Sequence, residues 1–125
     1  MVITTPTKTE IRTASIDKID DLFQHVATGD GDTLPSASDT ALDNETFRNA
    51  RFDVDKTTIP GEITVTGEVG FGENNGETIK EVGWFTEGGT GGNMRSRDLL
   101  INEIVKTSDI EVILPKRIIV GVTEV

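Results

Sequence analysis

Cysteine and tyrosine are absent from this sequence, and tryptophan and histidine occur once each. Without cysteine there is no disulfide framework, no thiolate metal site and no cysteine nucleophile. The lone histidine, His25, argues against a zinc site, and no serine sits in the nucleophile elbow that a catalytic triad would need. Aromatic residues make up 5 %, which argues against the aromatic-lined cleft of a glycoside hydrolase. We therefore expect a protein that is not an enzyme and that uses no cofactor and no metal.

Long hydrophobic runs are also missing. No stretch approaches the roughly 18 apolar residues that span a bilayer. No N-terminal segment has the basic, apolar and small-residue order of a signal peptide. The 125 residues fit one domain, and a content of 34 % apolar residues allows only a modest core.

Positive charge is scarce, because 12 Lys and Arg face 22 Asp and Glu for a net charge of -10. Nucleic acids and anionic membrane surfaces are disfavoured as partners, since both are bound through Lys and Arg. The acids are spread along the chain and lysine occurs only six times. This composition suits high salt, where screening removes the self-repulsion of the acids. The alternative is an ordinary acidic surface that keeps the protein soluble.

The N-terminal region is polar. Residues 1–15 (MVITTPTKTEIRTAS) alternate loosely and include a proline, which predicts an extended arm ahead of a single domain over 16–125. The next segment has two interpretations. One is a strand around 22–28. The other is a short helix with Ser15 as N-cap, whose apolar face would comprise Ile16, Ile19, Leu22, Phe23 and Val26.

Clear period-two alternation begins near residue 60 and predicts strands joined by tight turns. Residues 78–85 read as a strand and 94–105 as a strand or strand pair, although 99–105 (LLINEIV) alone could equally be a helical turn. The Asn-Gly within 73–77 predicts a hairpin turn before the strand at 78–85. Pro115 indicates that the last strand lies at a sheet edge or is bent. The apolar positions on the strand faces are Ile63, Val65, Val69 and Phe71, and later Ile110, Val112, Leu114, Ile118, Val120 and Val122.

Turn-forming residues fill 29–45 and predict a loop there, followed by a weakly alternating segment with Phe47 and Phe52 as anchors. Several short strands joined by Gly and Asn turns predict an all-β fold. We expect a small antiparallel β-sandwich with the extended N-terminal arm, and one short helix in addition if the segment 15–26 is a helix and not a strand.

The glycine-dense loop 87–93 (EGGTGGN) invites comparison with a phosphate-binding loop. Such a loop must open a helix whose N-terminal amides meet the anion. The following residues, MRSRDLLINE, contain no capping box, and no Gly-Lys-Ser/Thr is present. The loop therefore reads as a hairpin connection, in which glycines supply the positive φ of the turn.

Two groups of charged residues remain as candidate sites. Asp30, Asp32 and Asp39 lie in an acidic loop that could hold an ion, although their spacing does not match an EF-hand. A structural ion pair is expected across neighbouring strands, with a substrate clamp as the alternative. Its candidate members are Glu81, Arg95, Arg97 and Lys106.

Two blocks of this sequence resemble motifs of the tail-fibre, tail-collar and baseplate structural proteins of tailed viruses. The first block is VATGDGDTLPSASDTALDNETFR, in which the matching positions are Thr28, Gly29, Gly31, Pro35, Asp39, Thr40, Leu42, Glu45 and Arg48. The second runs from the Asn-Gly turn to the last strand, with matches at Asn75, Gly76, Ile79, Glu81, Val82, Gly83, Trp84, Phe85, Gly91, Arg97, Lys106 and Thr107. Together they cover about residues 23–122.

The resemblance implies a virion structural protein that works by assembly and is built into the virion in the host cytoplasm. Its partners would be copies of itself, in a trimer or ring, and other virion proteins. We expect the N-terminal arm to reach a neighbouring copy through Val2, Ile3 and Ile11, so that deletion of residues 1–14 leaves a folded domain that does not assemble. The alternatives are a capsid decoration or turret protein, and a carbohydrate-binding module with Trp84 as stacking platform and the 29–39 loop as ion site.

Overall fold

The computed structural model describes residues 2–123, and its first element is a helix, α1 (Thr5–Leu22). The prediction of an extended arm over 1–15 is therefore wrong from Thr5 onward; Met1 lies outside the described residues. Pro6 stands in the first turn, where its missing N–H costs nothing and its fixed φ favours helix. Low-propensity threonines hid this start, because their spacing imitates the alternation of a strand.

The segment 15–26 divides between its two interpretations. Residues 15–22 are helical, but Ser15 lies inside α1 and is not its N-cap, since the helix begins ten residues earlier. Phe23 and Val26 lie beyond the helix, and the predicted strand begins three residues after Leu22.

The Arg51 guanidinium donates to the carbonyl oxygens of Asp20 and Phe23, at 3.0 and 3.2 Å. It satisfies helix carbonyls that have no partner within the helix and places a cation at the negative end of the helix dipole. The chain then enters β1 (His25–Gly29).

Within residues 2–123, two antiparallel sheets form a sandwich, as the sequence predicted. The remaining strands are β2 (Glu45–Ala50), β3 (Asp53–Asp55), β4 (Glu62–Val69), β5 (Thr78–Phe85), β6 (Met94–Val105) and β7 (Val112–Ile119). One sheet has the order β2-β1-β5-β6 and the other has the order β3-β4-β7. Pro115 lies in β7, which is an edge strand, as predicted. Because β7 has no strand on its outer side, the missing N–H of Pro115 costs no hydrogen bond there.

The expected hairpin between β4 and β5 is wrong, although both strands are where the sequence placed them. These two strands lie in different sheets, so residues 70–77 cross from one layer to the other. Asn74 and Gly76 do adopt positive φ, at 54° and 88°. The chain does reverse direction there, but both edges of β4 are already paired, one with β3 and the other with β7, so β5 cannot pair with β4. The glycine-rich loop 87–93 does join a hairpin, β5 with β6.

The main core lies between the sheets and under the end of α1. Trp84 is 1 % exposed and packs against Phe23 with ring centroids 6.4 Å apart. Gly67 lets the sheets approach closely, because a Cβ there would lie 2.6 Å from Val26 Cγ1. Phe47 packs against this core as predicted, whereas Phe52 is exposed to 66 %, so its predicted role as an anchor is wrong. The fully buried members are Val26, Ile63, Val65, Val69 and Ile79.

A second, smaller cluster lies on the outer face of the larger sheet. It consists of Ala27, Leu42 and Phe85, with Met94 packed against it. Leu42 belongs to the segment 30–44, which has no regular secondary structure and folds over that face. No helix within residues 2–123 has the length and apolar character to cross a membrane.

Candidate functional site

The side chain of Glu81 is the centre of the most connected polar cluster in the described chain. Glu81 is fully buried and lies on β5, beneath the loop 30–44. Oε1 accepts hydrogen bonds from the Asp43 amide at 2.9 Å and from Arg97 Nε at 3.0 Å. Oε2 accepts from the amides of Gly31 and Asn44, at 2.8 and 3.0 Å. Four donors therefore satisfy the buried carboxylate, which offsets the free energy of its desolvation.

Arg97 joins the same cluster from β6. Besides Glu81, its guanidinium binds Asp39 Oδ2 at 3.2 Å and Asp43 Oδ2 at 3.1 Å. Burial lowers the pKa of Arg97, but the hydrogen bond with Glu81 and the charges of Asp43 and Glu81 outweigh it and raise the pKa above its usual value. The guanidinium stays charged, and it holds the second half of the loop against the sheet.

The expected ion pair is thus present for Glu81 and Arg97, and wrong for the other two cations. Arg95 is exposed and donates from Nε to Thr86 Oγ1 at 2.9 Å. Side chains two apart on a strand share a face but lie about 7 Å apart, so only one of the two arginines reaches Glu81.

Lys106 is fully buried at the opposite end of β5. Its ammonium donates to Asn75 Oδ1 at 2.8 Å, to the Thr107 carbonyl at 2.9 Å and to the Phe71 carbonyl at 3.4 Å. These three oxygens match the three donors of an ammonium group. Lys106 therefore fixes the conformation of residues 70–77, the segment that crosses from one sheet to the other. Its backbone also forms hydrogen bonds with Gly76 and Glu77.

Arg48 organises the glycine-rich loop, and the sequence analysis assigned it no role in a site. Its Nη1 donates to the carbonyls of Glu87, Gly89 and Gly91, at 3.1 Å for the first and 2.7 Å for the last. The same guanidinium pairs with Glu45 and lies 3.6 Å above the Phe85 ring. The loop directs carbonyl oxygens at a cation, which is the opposite polarity from a phosphate-binding loop.

The acidic loop does not bring its three aspartates together. Asp39 is bound to Arg97, and Asp30 Oδ1 accepts from Asn44 Nδ2 at 2.6 Å. Asp32 is exposed. Among residues 2–123 there is no cluster of three acidic or histidine side chains placed to hold a metal ion. The predicted ion site is therefore replaced by internal bonds that order the loop.

The residues predicted to touch a neighbouring copy lie at the far end of α1 from the domain. Val2 is 83 % exposed and Ile11 is 43 % exposed, while Ile3 is half-buried. Ile16 is the one buried residue of α1. Val2 and Ile3 thus precede the helix, and Ile11 is the one large apolar side chain in its first half. That half contains no buried residue, so it contributes little to the core.

Trp84 does not form a platform for a ligand, because it belongs to the core between the sheets. Its side chain is 1 % exposed and packs beside Phe23, so too little of the ring is accessible for a sugar to stack on it. Comparisons of the chain with protein-family models, with curated proteins and with solved structures find no match.

Proposed function

We propose that this protein is a structural component of a tailed-virus particle, of the tail, baseplate or fibre-attachment type, and that it works by homo-oligomeric assembly in the virion. The proposal places it in a trimer or ring that also contacts other virion proteins. The alternative location within the same proposal is the capsid, where the protein would be a decoration or turret protein.

The contacts between the two resembling sequence blocks support this proposal. Glu81 and Arg97 of the second block bind Gly31 and Asp39 of the first. Arg48 of the first block lies over Phe85 and binds the carbonyl of Gly91. The residues that carry the resemblance thus hold one another in a packed framework. Their polar groups are committed to internal bonds and build a rigid scaffold.

The observation that carries the proposal is the helix α1. Its first half is rich in threonine, an intrinsically weak helix former. A helix of this length and composition gains most of its stability from packing against another element. Here the one buried residue of the helix, Ile16, lies in its C-terminal half, and Arg12 also approaches Gly61 of the domain. Val2, before the helix, and Ile11, within it, are exposed apolar side chains that the domain does not bury. Burial against a neighbouring copy would supply the missing contact.

The test is the solution mass of the purified protein by light scattering, in 0.2 M salt and in multi-molar salt. We expect a discrete closed oligomer that salt strengthens, because screening weakens the repulsion between copies of charge -10. Deletion of residues 1–14 should leave a folded sandwich and abolish the trimer or ring. A full-length protein that stays monomeric in both conditions would contradict the proposal, and so would a truncated protein that assembles to the same size.

A further inference from the structure

One side of the sandwich is open. On that side β6 is the edge of the larger sheet and β7 is the edge of the smaller one. The two edges face each other, and Lys116 Nζ lies 2.9 Å from Asp98 Oδ2. The opposite edges, β2 and β3, are linked by only two residues, and Arg51 of that link binds the end of α1. The exposed apolar side chains of β6 and β7 are therefore accessible to a partner on this side, although β7 also carries Pro115 and Lys116, residue types that protect an edge.

Between these two edges runs an apolar groove of about 460 Å³. It reaches the core, and its wall comprises Val82, Trp84, Leu100, Ile104, Val112 and Leu114. The Lys116–Asp98 pair separates it from a polar cleft of about 360 Å³ under the 30–44 loop. We call these the apolar groove and the polar cleft.

A bulge in β6 places an apolar side chain beside this groove. Between the pairs Ile79–Ile104 and Glu81–Leu99, β5 has the single residue 80 and β6 has residues 100–103. The extra residues push the strand outward, and Ile101 is 100 % exposed. Ile113 of β7 is 48 % exposed nearby. β6 carries no lysine or proline of the kind that protects solvent-exposed edges.

The charges along this side are divided between its two ends. Arg95, Lys116 and Arg117 lie at the end with the polar cleft, where Asp98 pairs with Lys116 and Glu62 lies 3.9 Å from Arg117, so the basic charge there is in excess by one. Glu103 and Glu111 lie at the other end with Glu68, and Lys80 lies 3.9 Å from Glu103, so the acidic charge there is in excess by two. An antiparallel pair of such edges brings the basic end of each against the acidic end of the other. The surface is therefore self-complementary about a two-fold axis, as an isologous contact requires.

We infer that the β6–β7 side is a two-fold contact between copies of this chain. Ile101 of each copy enters the apolar groove of the other, while Glu103 and Glu111 meet the partner's Arg95 and Arg117. This inference rests on the proposed function, since it presumes self-assembly, and it adds a second contact to the one made by α1. The inference includes closure: the two-fold axes cross the axis of the α1 trimer or ring, so the assembly with both contacts has twice the mass of one that retains the α1 contact alone.

The experiment uses two charge-reversed variants of the full chain. The acidic-end variant is Glu103→Lys with Glu111→Lys, and the basic-end variant is Arg95→Glu with Arg117→Glu. In a two-fold contact between two copies of the same variant, like charges face each other at both ends of the contact. We expect each to have half the mass of the unmodified protein by analytical ultracentrifugation, and an equimolar mixture of the two to recover the full mass. Ile101→Asp should halve the mass by removing the apolar anchor.

The matched control is Asp21→Lys with Asp32→Lys, which changes the net charge as much as the acidic-end variant does at exposed positions elsewhere. It should keep the full mass, and circular dichroism checks that every variant is folded. If the unmodified protein assembles and the variants keep its mass, or the mixture does not recover it, the two-fold contact is wrong and the proposed function stands. If the unmodified protein is monomeric at every salt concentration, both fail together.

Discussion

Glu81 shows how one residue can order a long loop. Its carboxylate takes three backbone amides from 31–44 and one guanidinium nitrogen. Removing one partner from such a buried pair leaves the other charge without compensation, which is more destabilising than the pair itself is stabilising. The cluster therefore specifies one conformation of the loop.

Glu81→Gln should lower the free energy of unfolding by about 3–5 kcal/mol, because Arg97 is left buried beside a neutral amide whose NH₂ group faces amide donors. Chemical denaturation followed by Trp84 fluorescence measures the change. Glu77→Gln, at an exposed position just before β5, is the matched control and should stay within about 0.5 kcal/mol of the unmodified protein. A loss at Glu81 no larger than the control's would contradict the central role of this carboxylate.

Gly67 is required by the distance between the sheets. Gly67→Ala should destabilise the protein by about 1–3 kcal/mol, because the new methyl group would overlap Val26. Adding Val26→Gly, which also removes the Val26 Cβ 2.7 Å from the new methyl group, should give a combined loss smaller than the sum of the two single losses, as expected of two side chains that compete for one space. Gly72→Ala is the control, since a Cβ there meets nothing within 4 Å. Purely additive losses in the double variant would show that the close approach is not the cause.

At the scale of elements, the loop 30–44 behaves as a cover that side chains hold against the outer face of the sheet. Asp43 binds both the first part of the loop and the sheet. Its Oδ2 accepts the Thr33 amide at 3.0 Å and binds Arg97. Hydrogen bonding from Thr33 is the main reason that the pKa of Asp43 is lowered, and Arg97 adds to it.

Because folding lowers the pKa of Asp43, its contribution to stability is complete above the unfolded-state value of about 3.9 and disappears as the pH falls through the lower folded-state value. We expect the Thr33 amide resonance in NMR spectra to be constant from pH 7 to 5 and to shift below pH 4. Asp43→Asn should remove this titration. A shift centred above pH 5, or one that persists in the variant, would contradict the assignment to Asp43.

The sequence predicted the strands with clear alternation and the β5–β6 hairpin, and it predicted Glu81 with Arg97. Those features depend on local pattern and on cross-strand neighbours. The first half of α1 could not be predicted, because threonine favours strands and the helix has few tertiary contacts. The β4–β5 crossing could not be predicted either, because a positive-φ turn reverses the chain both in a hairpin within one sheet and in a crossing between two sheets. Arg48 was missed because its partners are carbonyl groups, which every sequence contains.

At the scale of the whole molecule, the excess of acid sets the response to salt and pH. Glu68 and Glu111 illustrate this at one place on the surface. Desolvation is the main reason that the pKa of Glu68 is raised, and its hydrogen bond and charge interaction with Glu111 raise it further. A raised pKa means that ionisation of Glu68 opposes folding.

The contribution of protonated Glu68 to stability is therefore complete below the unfolded-state pKa of about 4.3 and is lost as the pH rises through the higher folded-state value. Glu111→Gln should raise the melting temperature at pH 7 in dilute buffer and change it little at pH 3. The gain at pH 7 should shrink in multi-molar salt, because screening weakens the repulsion. An equal gain at both pH values would show that repulsion between carboxylates is not the cause.

The position of β7 also determines how the molecule bears load. The first strand, β1, belongs to the larger sheet, whereas the last strand, β7, belongs to the smaller one. β7 is paired with β4 alone, from Glu62–Ile119 to Val69–Val112. Tension applied beyond Ile119 would break these pairs one after another, as a strip is peeled, and each step needs little force. A partner strand laid along β7 would convert peeling into shear, in which many hydrogen bonds resist at once.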